Sequence, residues 1–568
     1  MLETNLLYYG DNLDILRRYI PDESVDLVYL DPPFNSQRDY NVIFKNEAGR
    51  NTDAQLLAFE DTWHWGPSAE ATYAYLTNSV RNEGRVPEQV STLIGALRKG
   101  IHENQMLAYL VEMAVRLVEL RRVLKPTGSL YLHCDPTASH YLKVILDGIF
   151  GPHNFRNEII WKRTSAHSSA KRYGPVHDVL LFYAKSESMV WVGFDQKYDP
   201  AYVAQRFARG GDQPWKDADL TGSGVRHGET GLSWRGFNPT EKGRHWGYPP
   251  RELDAMDAAG LIYWPDKKGA WPRLKKFLSD ARGVPLQDVW TDIPPVNSQA
   301  KERLGWDTQK PLALLERVIS ASSNPGDIVL DPFCGCGTAL IAAQKLERRW
   351  IGIDITYLAI AVMRARLKDA FGLDDVPVRG QPTEVEGARQ LAQSAEGRYQ
   401  FQWWALGLVD AKPVGGVEKK GPDRGVDGVI SFTDKHGELY QVLVSVKSGH
   451  VTPDMVRALK GTMGRDNAAI GLFITLEEPT KEMNLVADTA GLWRSEVWKK
   501  DYPRIQILTI GDLLAGKKPQ LPPFVMPTYQ QAPKVVTDAD QPGLFDAPVR
   551  LKKVAEPQPH KYTAENDS

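Results

Sequence analysis

The stretch Ile328-Val329-Leu330-Asp331-Pro332-Phe333-Cys334-Gly335-Cys336-Gly337-Thr338 decides the fold of the chain. Its apolar start predicts a buried strand that ends at Asp331, and the periodicity of residues 339–346 predicts a helix after the turn. A second apolar run, residues 350–353, ends at another acid, Asp354. Glycines let a backbone approach a ligand closely, a helix N-terminus favours negative charge, and an acid after the next strand suits ribose hydroxyls. The pattern predicts an α/β sheet that binds a nucleotide-like ligand at the carboxyl ends of its strands.

A second strand end, much earlier in the chain, carries the run Asp31-Pro32-Pro33-Phe34. The apolar residues 25–30 predict the strand itself. Prolines fix the backbone and donate no hydrogen bond, so the carbonyl groups and the carboxylate of Asp31 form a rigid cluster of acceptors. Such a cluster suits an amino group with its two donors, and Phe34 offers a flat face on which a base can stack.

The composition sets limits on the class of protein. The chain has 568 residues, enough for several domains. Lys and Arg number 69 against 71 Asp and Glu, which excludes a uniformly basic protein of the histone type but not a local nucleic-acid surface. The three cysteines, Cys134, Cys334 and Cys336, exclude a disulfide-stapled secreted protein and favour a cytoplasmic location. We expect neither a signal peptide nor a membrane span, and no set of Cys and His predicts a metal site.

Together the two motifs resemble those of the DNA amino-methyltransferases, which transfer a methyl group from S-adenosylmethionine (SAM) to an exocyclic base nitrogen. The run from Asp31 to Phe34 is similar to the catalytic motif of that family, and the run from Asp331 to Thr338 is similar to its SAM motif. The catalytic motif comes first here, which is the circularly permuted order of the β class. Gly10-Asp11-Asn12-Leu13 and Thr308-Gln309-Lys310-Pro311 resemble two further segments of the SAM site, and the likeness covers residues 1–372.

The resemblance implies a Rossmann-like methyltransferase fold, SAM as the cofactor, double-stranded DNA as the partner and a defined set of site residues. The catalytic residues would be Asp31, Pro32, Pro33 and Phe34. The SAM-binding residues would be Asp11, Thr308, Lys310, Asp331, Phe333, Gly335, Gly337, Thr338 and Asp354. The target base would be flipped out of the duplex and stacked on Phe34, while Asp31 and the Pro32 carbonyl accept hydrogen bonds from its amino group.

Asp at the first position of the catalytic motif favours N6 of adenine as the target. Cytosine-N4 enzymes more often carry Ser there, but some carry Asp, so a cytosine-N4 methyltransferase of the same fold stays an alternative. Two further alternatives are a bifunctional restriction–modification enzyme that also cleaves DNA, and a DNA-binding protein with an inactive nuclease module.

Residues 195–300 differ in composition from the flanking sequence: Gly, Pro, Trp and basic residues dominate, and the hydrophobic periodicity is weaker. In the β class this is the place of the target-recognition region. Aromatic rings can stack bases, while Arg and Lys contact phosphates or guanine edges. We therefore predict DNA contacts from Trp234, Arg235, Arg244, Trp246, Lys275 and Lys276. The alternative is an insert whose tryptophans form a small core, and we expect most of the tryptophans to do so.

Strands predicted at residues 428–432, 439–446 and 469–474 indicate a further α/β domain. It resembles the Mrr-like branch of the PD-(D/E)xK restriction endonucleases, with Asp427 and Lys447 at the nuclease positions. Acids in such a site hold Mg²⁺ and the lysine orients water. Ser445 stands where an acid or Gln is expected, so three interpretations stay open: an inactive site, a site completed by a displaced acid such as Glu438, and a domain that only binds DNA.

These features predict the domain boundaries. We expect the catalytic half at residues 1–194, the target-recognition region at 195–300, the SAM-binding half at 301–375, a linker at 376–397 and the endonuclease-like domain at 398–518. The tail, 519–568, is rich in Pro, Gln, Ala and charge, which predicts disorder. Within it, Gln541-Pro542-Gly543-Leu544-Phe545 is similar to the peptide that docks on bacterial sliding clamps, which adds a clamp as a candidate partner.

Overall fold

The computed structural model describes residues 2–33, 39–45, 51–60, 64–164, 173–281, 283–306, 308–393, 395–414, 425–523, 525–529 and 531–534. The chain divides into two compact units. The first comprises Met1–Gly193 and Gln287–Val535, and the described part of the second is Phe194–Leu286.

The first unit starts with alternating strands and helices. In chain order they are β1 Leu6–Tyr9, α1 Asn12–Tyr19, β2 Val25–Leu30, β3 Asp39–Lys45, β4 Asn51–Glu60, α2 Pro67–Thr77, α3 Glu88–Ile101, α4 Gln105–Val123, β5 Leu124–Cys134, α5 Pro136–Phe150, β6 Phe155–Lys162 and β7 His177–Ala184.

The second unit contains short elements around a small apolar core. They are β8 Asp195–Gln196, α6 Pro200–Arg206, β9 Trp215–Asp219, β10 Thr221–Ser223, β11 Arg244–Trp246, α7 Pro250–Ala258, β12 Ile262–Tyr263, β13 Arg273–Phe277 and β14 Val284–Pro285. Strands β12, β13 and β9 form one antiparallel sheet, and β10 and β11 form another.

The chain then returns to the first unit. The elements up to residue 391 are β15 Val289–Trp290, α8 Leu312–Ser322, β16 Ile328–Asp331, α9 Thr338–Lys345, β17 Arg349–Asp354, α10 Tyr357–Phe371, β18 Val378–Arg379 and α11 Val385–Leu391. The segment Gln287–Val535 belongs with the first unit, so the insert ends at Leu286 and not at residue 300 as predicted. The physical reason is that β15 pairs with β6, and the indole of Trp161 donates a hydrogen bond of 2.9 Å to the carbonyl of Ile293.

One nine-stranded sheet organises the methyltransferase-like part, in the order β15-β6-β7-β5-β2-β16-β17-β1-β18. The run from β5 to β18 is parallel, and β7 is antiparallel to both of its neighbours. Alternate residues of the central strands enter different cores. Leu27, Tyr29 and Val329 pack into one apolar cluster, whereas Leu30 and Leu330 pack into the other. The strands are continuously apolar because both faces of the sheet are covered, which confirms the predicted Rossmann-like α/β class.

The C-terminal part of the first unit is built on a five-stranded mixed sheet in the order β19-β20-β21-β22-β25. Its elements are α12 Ala395–Gly407, β19 Lys412–Pro413, β20 Gly428–Thr433, β21 Leu439–Lys447, α13 Pro453–Arg465, β22 Ile470–Thr475, α14 Lys481–Asp488, β23 Leu492–Arg494, β24 Asp501–Pro503, β25 Ile505–Thr509 and α15 Ile510–Leu514. Helix α12 connects this sheet to the larger one, because the side-chain carbonyl of Gln400 accepts a 3.1 Å hydrogen bond from the backbone of Tyr357.

Two sequence predictions differ from this structure. Residues 376–397 are not a bare linker, since they contain β18, which pairs with β1, and helix α11. The described residues between 519 and 534 are ordered, because Met526 donates a 2.7 Å hydrogen bond to the carbonyl of Ser431 and Ala532 donates one of 3.1 Å to Asp369. The proline-rich composition was misleading, because these backbone groups find partners on the surface of the larger fold. Among the described helices, none has the length and apolar character that crossing a bilayer requires.

Candidate active site

Four neighbouring parallel strands, β2, β16, β17 and β1, end at one cleft. Because parallel strands deliver their carboxyl ends to the same edge of a sheet, motifs that lie far apart in sequence meet there. The described residues that line the cleft are Gly10, Asp11, Asn12, Asp31, Pro32, Pro33, Arg116, Trp306, Thr308, Lys310, Pro332, Phe333, Gly335, Asp354, Ile355 and Thr356.

The predicted catalytic motif follows β2 directly. The carboxylate of Asp31 is 17% exposed and contacts the ammonium group of Lys310. Pro32 is buried and Pro33 is half-buried, so the two prolines fix the backbone at the cleft wall. Phe34, the last residue of the motif, lies outside the described residues.

The predicted SAM turn follows β16. Gly335 has a φ of +48°, and its N–H donates a 2.9 Å hydrogen bond to Asp354. Gly337 has a φ of +76°, and a Cβ atom there would come within 2.7 Å of Met363. The two glycines therefore have different functions. Gly335 lines the cleft, whereas Gly337 lets the turn pack closely against helix α10.

Asp354 at the end of β17 joins the SAM turn to the next helix. Its second oxygen accepts hydrogen bonds of 2.8 Å from both the backbone N–H and the hydroxyl of Thr356. Burial raises the pKa of Asp354 to about 6, although the hydrogen bonds from Thr356 and Gly335 oppose the shift. A carboxylate offers about four acceptor positions, so one remains for a ligand hydroxyl.

Asp331, the first residue of the SAM motif, is buried. It accepts a 3.0 Å hydrogen bond from the N–H of Phe333, which stabilises the turn. Burial raises the pKa of Asp331 well above its usual range, and the nearby carboxylates of Asp31 and Asp354 act in the same direction.

The N-terminal turn forms the opposite wall through a hydrogen-bond network that the sequence did not indicate. Asn12 donates a 2.8 Å hydrogen bond to the carbonyl of Pro332, which links the first turn of the chain to the SAM turn. Arg116 of helix α4 donates to the side chains of Asn12 (2.7 Å) and Asp11 (3.0 Å). Asp11 also caps α1 by accepting from the N–H of Leu13. Arg116 therefore holds two polar side chains at the rim of the cleft.

The chemistry of the cleft fits SAM, which combines a flat adenine, a hydroxylated ribose and positive groups. Trp306, Phe333 and the half-exposed Ile355 provide apolar surface, and Asp11 and Asp354 provide carboxylates. Trp306 is oriented by a 2.9 Å hydrogen bond from its indole to the hydroxyl of Thr308. Trp306 and Ile355 are cleft residues that the motifs did not reveal.

Thr338 and the two turn cysteines lie behind the cleft wall. The hydroxyl of Thr338 accepts a 3.0 Å hydrogen bond from the buried guanidinium of Arg366. Burial raises the pKa of the Cys334 and Cys336 thiols, so both stay protonated. They are small packing residues of the turn rather than nucleophiles.

A chain of buried polar residues lies beneath the catalytic motif. The hydroxyl of Tyr29 is 2.9 Å from Nδ1 of His133, and Nε2 of His133 is 3.2 Å from the carboxylate of Asp178. Tyr29 lines a smaller cavity together with Asp31, Lys310 and Asp331. The sequence did not reveal this hydrogen-bonded chain, because its residues come from three different strands.

Two of the residues predicted to contact DNA are buried in the core of the insert. Trp234 is 4% exposed and Trp246 is fully buried, so neither can stack on a base. They pack edge to face with ring centroids 5.7 Å apart and form the core of the insert with Leu220, Leu253 and Ile262. The expectation that most tryptophans form a core applies to both of them.

The basic residues predicted to bind DNA have different surroundings. Arg235 pairs with Asp254 and Asp257, and Arg244 bonds to the hydroxyl of Thr221. Lys275 donates to the carbonyl of Gly260, while Lys276 is exposed and stands opposite Lys216 across the β13–β9 pair. Lys276 has the surroundings that best suit a phosphate contact.

In the C-terminal domain, Asp427 is held by protein donors. One of its oxygens accepts from the amide of Gln402 at 2.8 Å, and the other accepts from the backbone of Val446 at 2.6 Å and lies 3.6 Å from Lys447. Glu438 lies at the other end of the β20–β21 hairpin, about 20 Å away at the usual rise per residue. Glu438 therefore cannot complete this site. In the described parts of the chain, no three His, Cys, Asp or Glu side chains come together as a metal site.

Comparison with known proteins agrees with this arrangement. Residues 25–362 match the DNA methylase family N6_N4_Mtase, and residues 414–515 match the family described as NACHT-associated inactive Restriction Endonuclease 1. The type II methyltransferase M.EcaI of Enterobacter cloacae is 36% identical over 261 residues, which are 46% of this chain and 57% of that protein.

Two further relatives show the same likeness. The Mod subunit of the type III restriction-modification enzyme StyLTI of Salmonella typhimurium is 26% identical over 361 residues, 60% of this chain and 50% of that protein. The DNA adenine methyltransferase YhdJ of Escherichia coli is 24% identical over 377 residues, 66% of this chain and 87% of that protein. The chain spans about half the length of the first two relatives, 57% and 50%.

Proposed function

Because the chain belongs to the N6_N4_Mtase family of DNA methylases, we propose that it transfers a methyl group from SAM to N6 of adenine in double-stranded DNA. One observation carries this proposal. A single cleft contains the acceptor cluster of Asp31, Pro32 and Pro33 together with the SAM turn at Gly335 and its partner Asp354.

The residues of the cleft have separate tasks in this reaction. When bound, SAM supplies the electrophilic methyl group. Asp354 and Asp11 accept hydrogen bonds from its polar groups, and Trp306 and Ile355 pack against its flat part. Asp31 and the Pro32 carbonyl accept the two N–H groups of the target base, which directs the nitrogen lone pair towards the methyl group. Rigid prolines hold these acceptors in place, so little reorganisation is needed at the moment of transfer.

Adenine rather than cytosine is supported by Asp31 at the first position of the motif and by the relative YhdJ, which is named a DNA adenine methyltransferase. Nucleoside analysis of plasmid DNA after incubation with the protein and labelled SAM tests the choice. Label in N6-methyladenine is expected, and label only in N4-methylcytosine would favour the alternative.

We propose that the insert reads the target site. Of the predicted basic residues, exposed Lys276 on β13 is the best placed to contact a phosphate. Lys275 on the same strand and Arg244 on β11 would have to exchange hydrogen bonds within the insert for contacts to DNA. Arg235 is closely neutralised by two aspartates, which favours a structural function for that residue.

We propose that the C-terminal domain is a DNA-binding or scaffolding module without cleavage activity. Its family is described as inactive, and the carboxylate of Asp427 is engaged by Gln402 and the Val446 backbone. A Mg²⁺ ion normally requires several oxygen ligands, and Ser445 supplies a poor one. Incubation of unmethylated plasmid with the protein and Mg²⁺ tests this point, with intact plasmid as the expected result.

Two further expectations rest on sequence alone. The peptide Gln541–Phe545 lies outside the described residues, and its docking on a sliding clamp stays a prediction. A cytoplasmic location, inferred from the cysteine content, stays a prediction as well.

A further inference from the structure

Three residues beneath the cleft are arranged like an acid–base triad. Tyr29 of β2, His133 of β5 and Asp178 of β7 lie on three adjacent strands and form one continuous hydrogen-bonded chain. All three are buried, with exposures of 2%, 0% and 1%. A buried polar chain is costly unless its groups find partners. Here the hydroxyl and both ring nitrogens have hydrogen-bond partners, and the second oxygen of Asp178 lies 3.3 Å from the guanidinium of Arg163.

The chain ends at the reaction centre. Tyr29 and Asp31 are two residues apart on β2 and its extension, so their side chains point to the same face of the sheet. Both line the small cavity that also contains Lys310 and Asp331. Tyr29 is therefore the residue at which the buried chain meets the small cavity beside Asp31.

The direction of the hydrogen bonds follows from the charges. Burial raises the pKa of Asp178, but the hydrogen bond from His133 and the positive charges of Lys310 and Arg163 outweigh this effect and lower it. Asp178 is thus a carboxylate that accepts from Nε2–H of His133. In the tautomer whose Nε2–H donates to Asp178, Nδ1 is an acceptor, so the Tyr29 hydroxyl donates to it and keeps its oxygen lone pairs for another donor.

We propose that Tyr29, His133 and Asp178 form a proton relay that takes up the proton released by the methylated amino nitrogen, a step that presupposes the methyl transfer proposed above. Transfer of the methyl group leaves the nitrogen with a positive charge and one proton too many. Methylation makes the nitrogen tetrahedral, so one N–H leaves the Pro32 carbonyl and turns to the Tyr29 oxygen. That N–H bond breaks, its electron pair stays on nitrogen, and the proton binds the Tyr29 oxygen. The original hydroxyl proton of Tyr29 moves to Nδ1 of His133, and Asp178 stabilises the imidazolium.

In this relay Tyr29 touches the reacting group, whereas His133 and Asp178 are positioning residues that act through it. Among the described residues, the charged and titratable groups around the imidazole include Asp178, Tyr29, Arg163, Lys310 and Asp31. Trp161 packs edge-on against the ring, with centroids 5.8 Å apart, and restricts its rotation. The site therefore keeps the imidazole in the orientation that the relay needs.

The protein contains a matched control for the key residue. Tyr131 pairs with Tyr29 in the β2–β5 register and is also 2% exposed, but its hydroxyl bonds to Ser322 at 2.7 Å instead of facing the cavity. Tyr29→Phe and Tyr131→Phe each remove one buried hydroxyl from neighbouring strands. A purely structural function would make the two variants behave alike.

The test is the single-turnover rate of methyl transfer in the full-length protein at saturating SAM and DNA. We expect Tyr29→Phe to lower this rate by about a hundredfold, near the lower end of what general acid–base groups contribute. SAM affinity, DNA affinity and the thermal midpoint should match those of Tyr131→Phe, which should transfer at the wild-type rate. Asp178→Asn should also lower the rate and keep SAM affinity, because an amide can hold the imidazole in the wrong tautomer.

Equal transfer rates for Tyr29→Phe and Tyr131→Phe would overturn the relay. Loss of SAM affinity in Tyr29→Phe alone would also overturn it, because the residue would then shape the cofactor site. A wild-type protein that methylates no DNA would instead refute the proposed function, so the two failures are distinguishable.

Discussion

The ammonium group of Lys310 contacts the carboxylate of Asp31, which joins the predicted SAM set to the predicted catalytic motif. Asp31 follows β2 and Lys310 directly precedes helix α8, so this contact joins the two halves of the permuted fold. The contact places a positive charge directly beside the acceptor atoms of Asp31. The amino group of a target base must share that carboxylate with Lys310 or displace it.

The first prediction concerns this carboxylate. Asp31→Asn keeps the shape of the side chain but replaces one acceptor with a donor, which opposes the N–H groups of the base. We expect methyl transfer to fall by at least about a hundredfold, as when one preorganised polar group is lost from an active site. SAM affinity, measured by calorimetry, should change little. A variant that loses SAM affinity instead would show that Asp31 belongs to the cofactor site.

The second prediction concerns the pH dependence of SAM affinity. The pKa of Asp354 is raised to about 6 by burial, so this residue is a carboxylate only above that pH. We expect SAM affinity to fall as the pH drops through about 6, because protonation removes the acceptor for the ribose. Asp354→Asn should bind SAM more weakly and with a flatter pH profile. An unchanged pH profile in that variant would remove Asp354 from the SAM set.

The raised pKa of Asp354 has the opposite effect on folding stability: a lower pH weakens SAM binding but stabilises the folded protein. Because the folded pKa of Asp354 lies above its ordinary value, the folded protein holds the proton more tightly than the unfolded chain does. The stabilising contribution is present at low pH and is lost as the pH rises through about 6. The difference in thermal midpoint between Asp354→Asn and the wild type should therefore shift in favour of the variant when the pH is raised from 4 to 7.

The third prediction separates the basic residues of the insert. Lys276 is exposed opposite Lys216, whereas Arg235 is neutralised by Asp254 and Asp257. Lys276→Ala should weaken binding to all DNA sequences and reduce the slope of log affinity against log salt by about one. Arg235→Ala should leave that slope closer to the wild-type value. Binding titrations at several salt concentrations compare the two, and a larger effect for Arg235→Ala would reverse the assignment.

The fourth prediction concerns the C-terminal domain. Since Asp427 is engaged by Gln402 and the Val446 backbone, we expect neither Asp427→Ala nor Lys447→Ala to change the fate of plasmid incubated with Mg²⁺. Asp427→Ala should instead destabilise the domain, because it leaves the amide of Gln402 without this acceptor. Plasmid nicking by the wild type that disappears in Lys447→Ala would establish a nuclease.

The sequence predicted the parallel sheet well because its strands are short apolar runs that end in acids or glycines. Asp31, Gly335 and Asp354 could be assigned to one cleft because motif order and strand ends define them. Motifs did not reveal Arg116, Trp306 or Tyr29, since their function depends on contacts between distant segments.

Other differences have a similar origin. Tryptophans interleaved with basic residues have the same pattern whether they stack on bases or on each other, and only packing showed that Trp234 and Trp246 are core. The composition of the tail predicts disorder, but the backbone N–H groups of Met526 and Ala532 donate hydrogen bonds to Ser431 and Asp369 of the folded domains. Local sequence does not specify such long-range partners.

The most direct measurement of the central claim is nucleoside analysis of unmethylated plasmid DNA incubated with labelled SAM and either the wild type or Asp31→Asn. We expect label in N6-methyladenine with the wild type and almost none with the variant. Label confined to N4-methylcytosine, or equal labelling by both proteins, would contradict an adenine-N6 methyltransferase that works through Asp31.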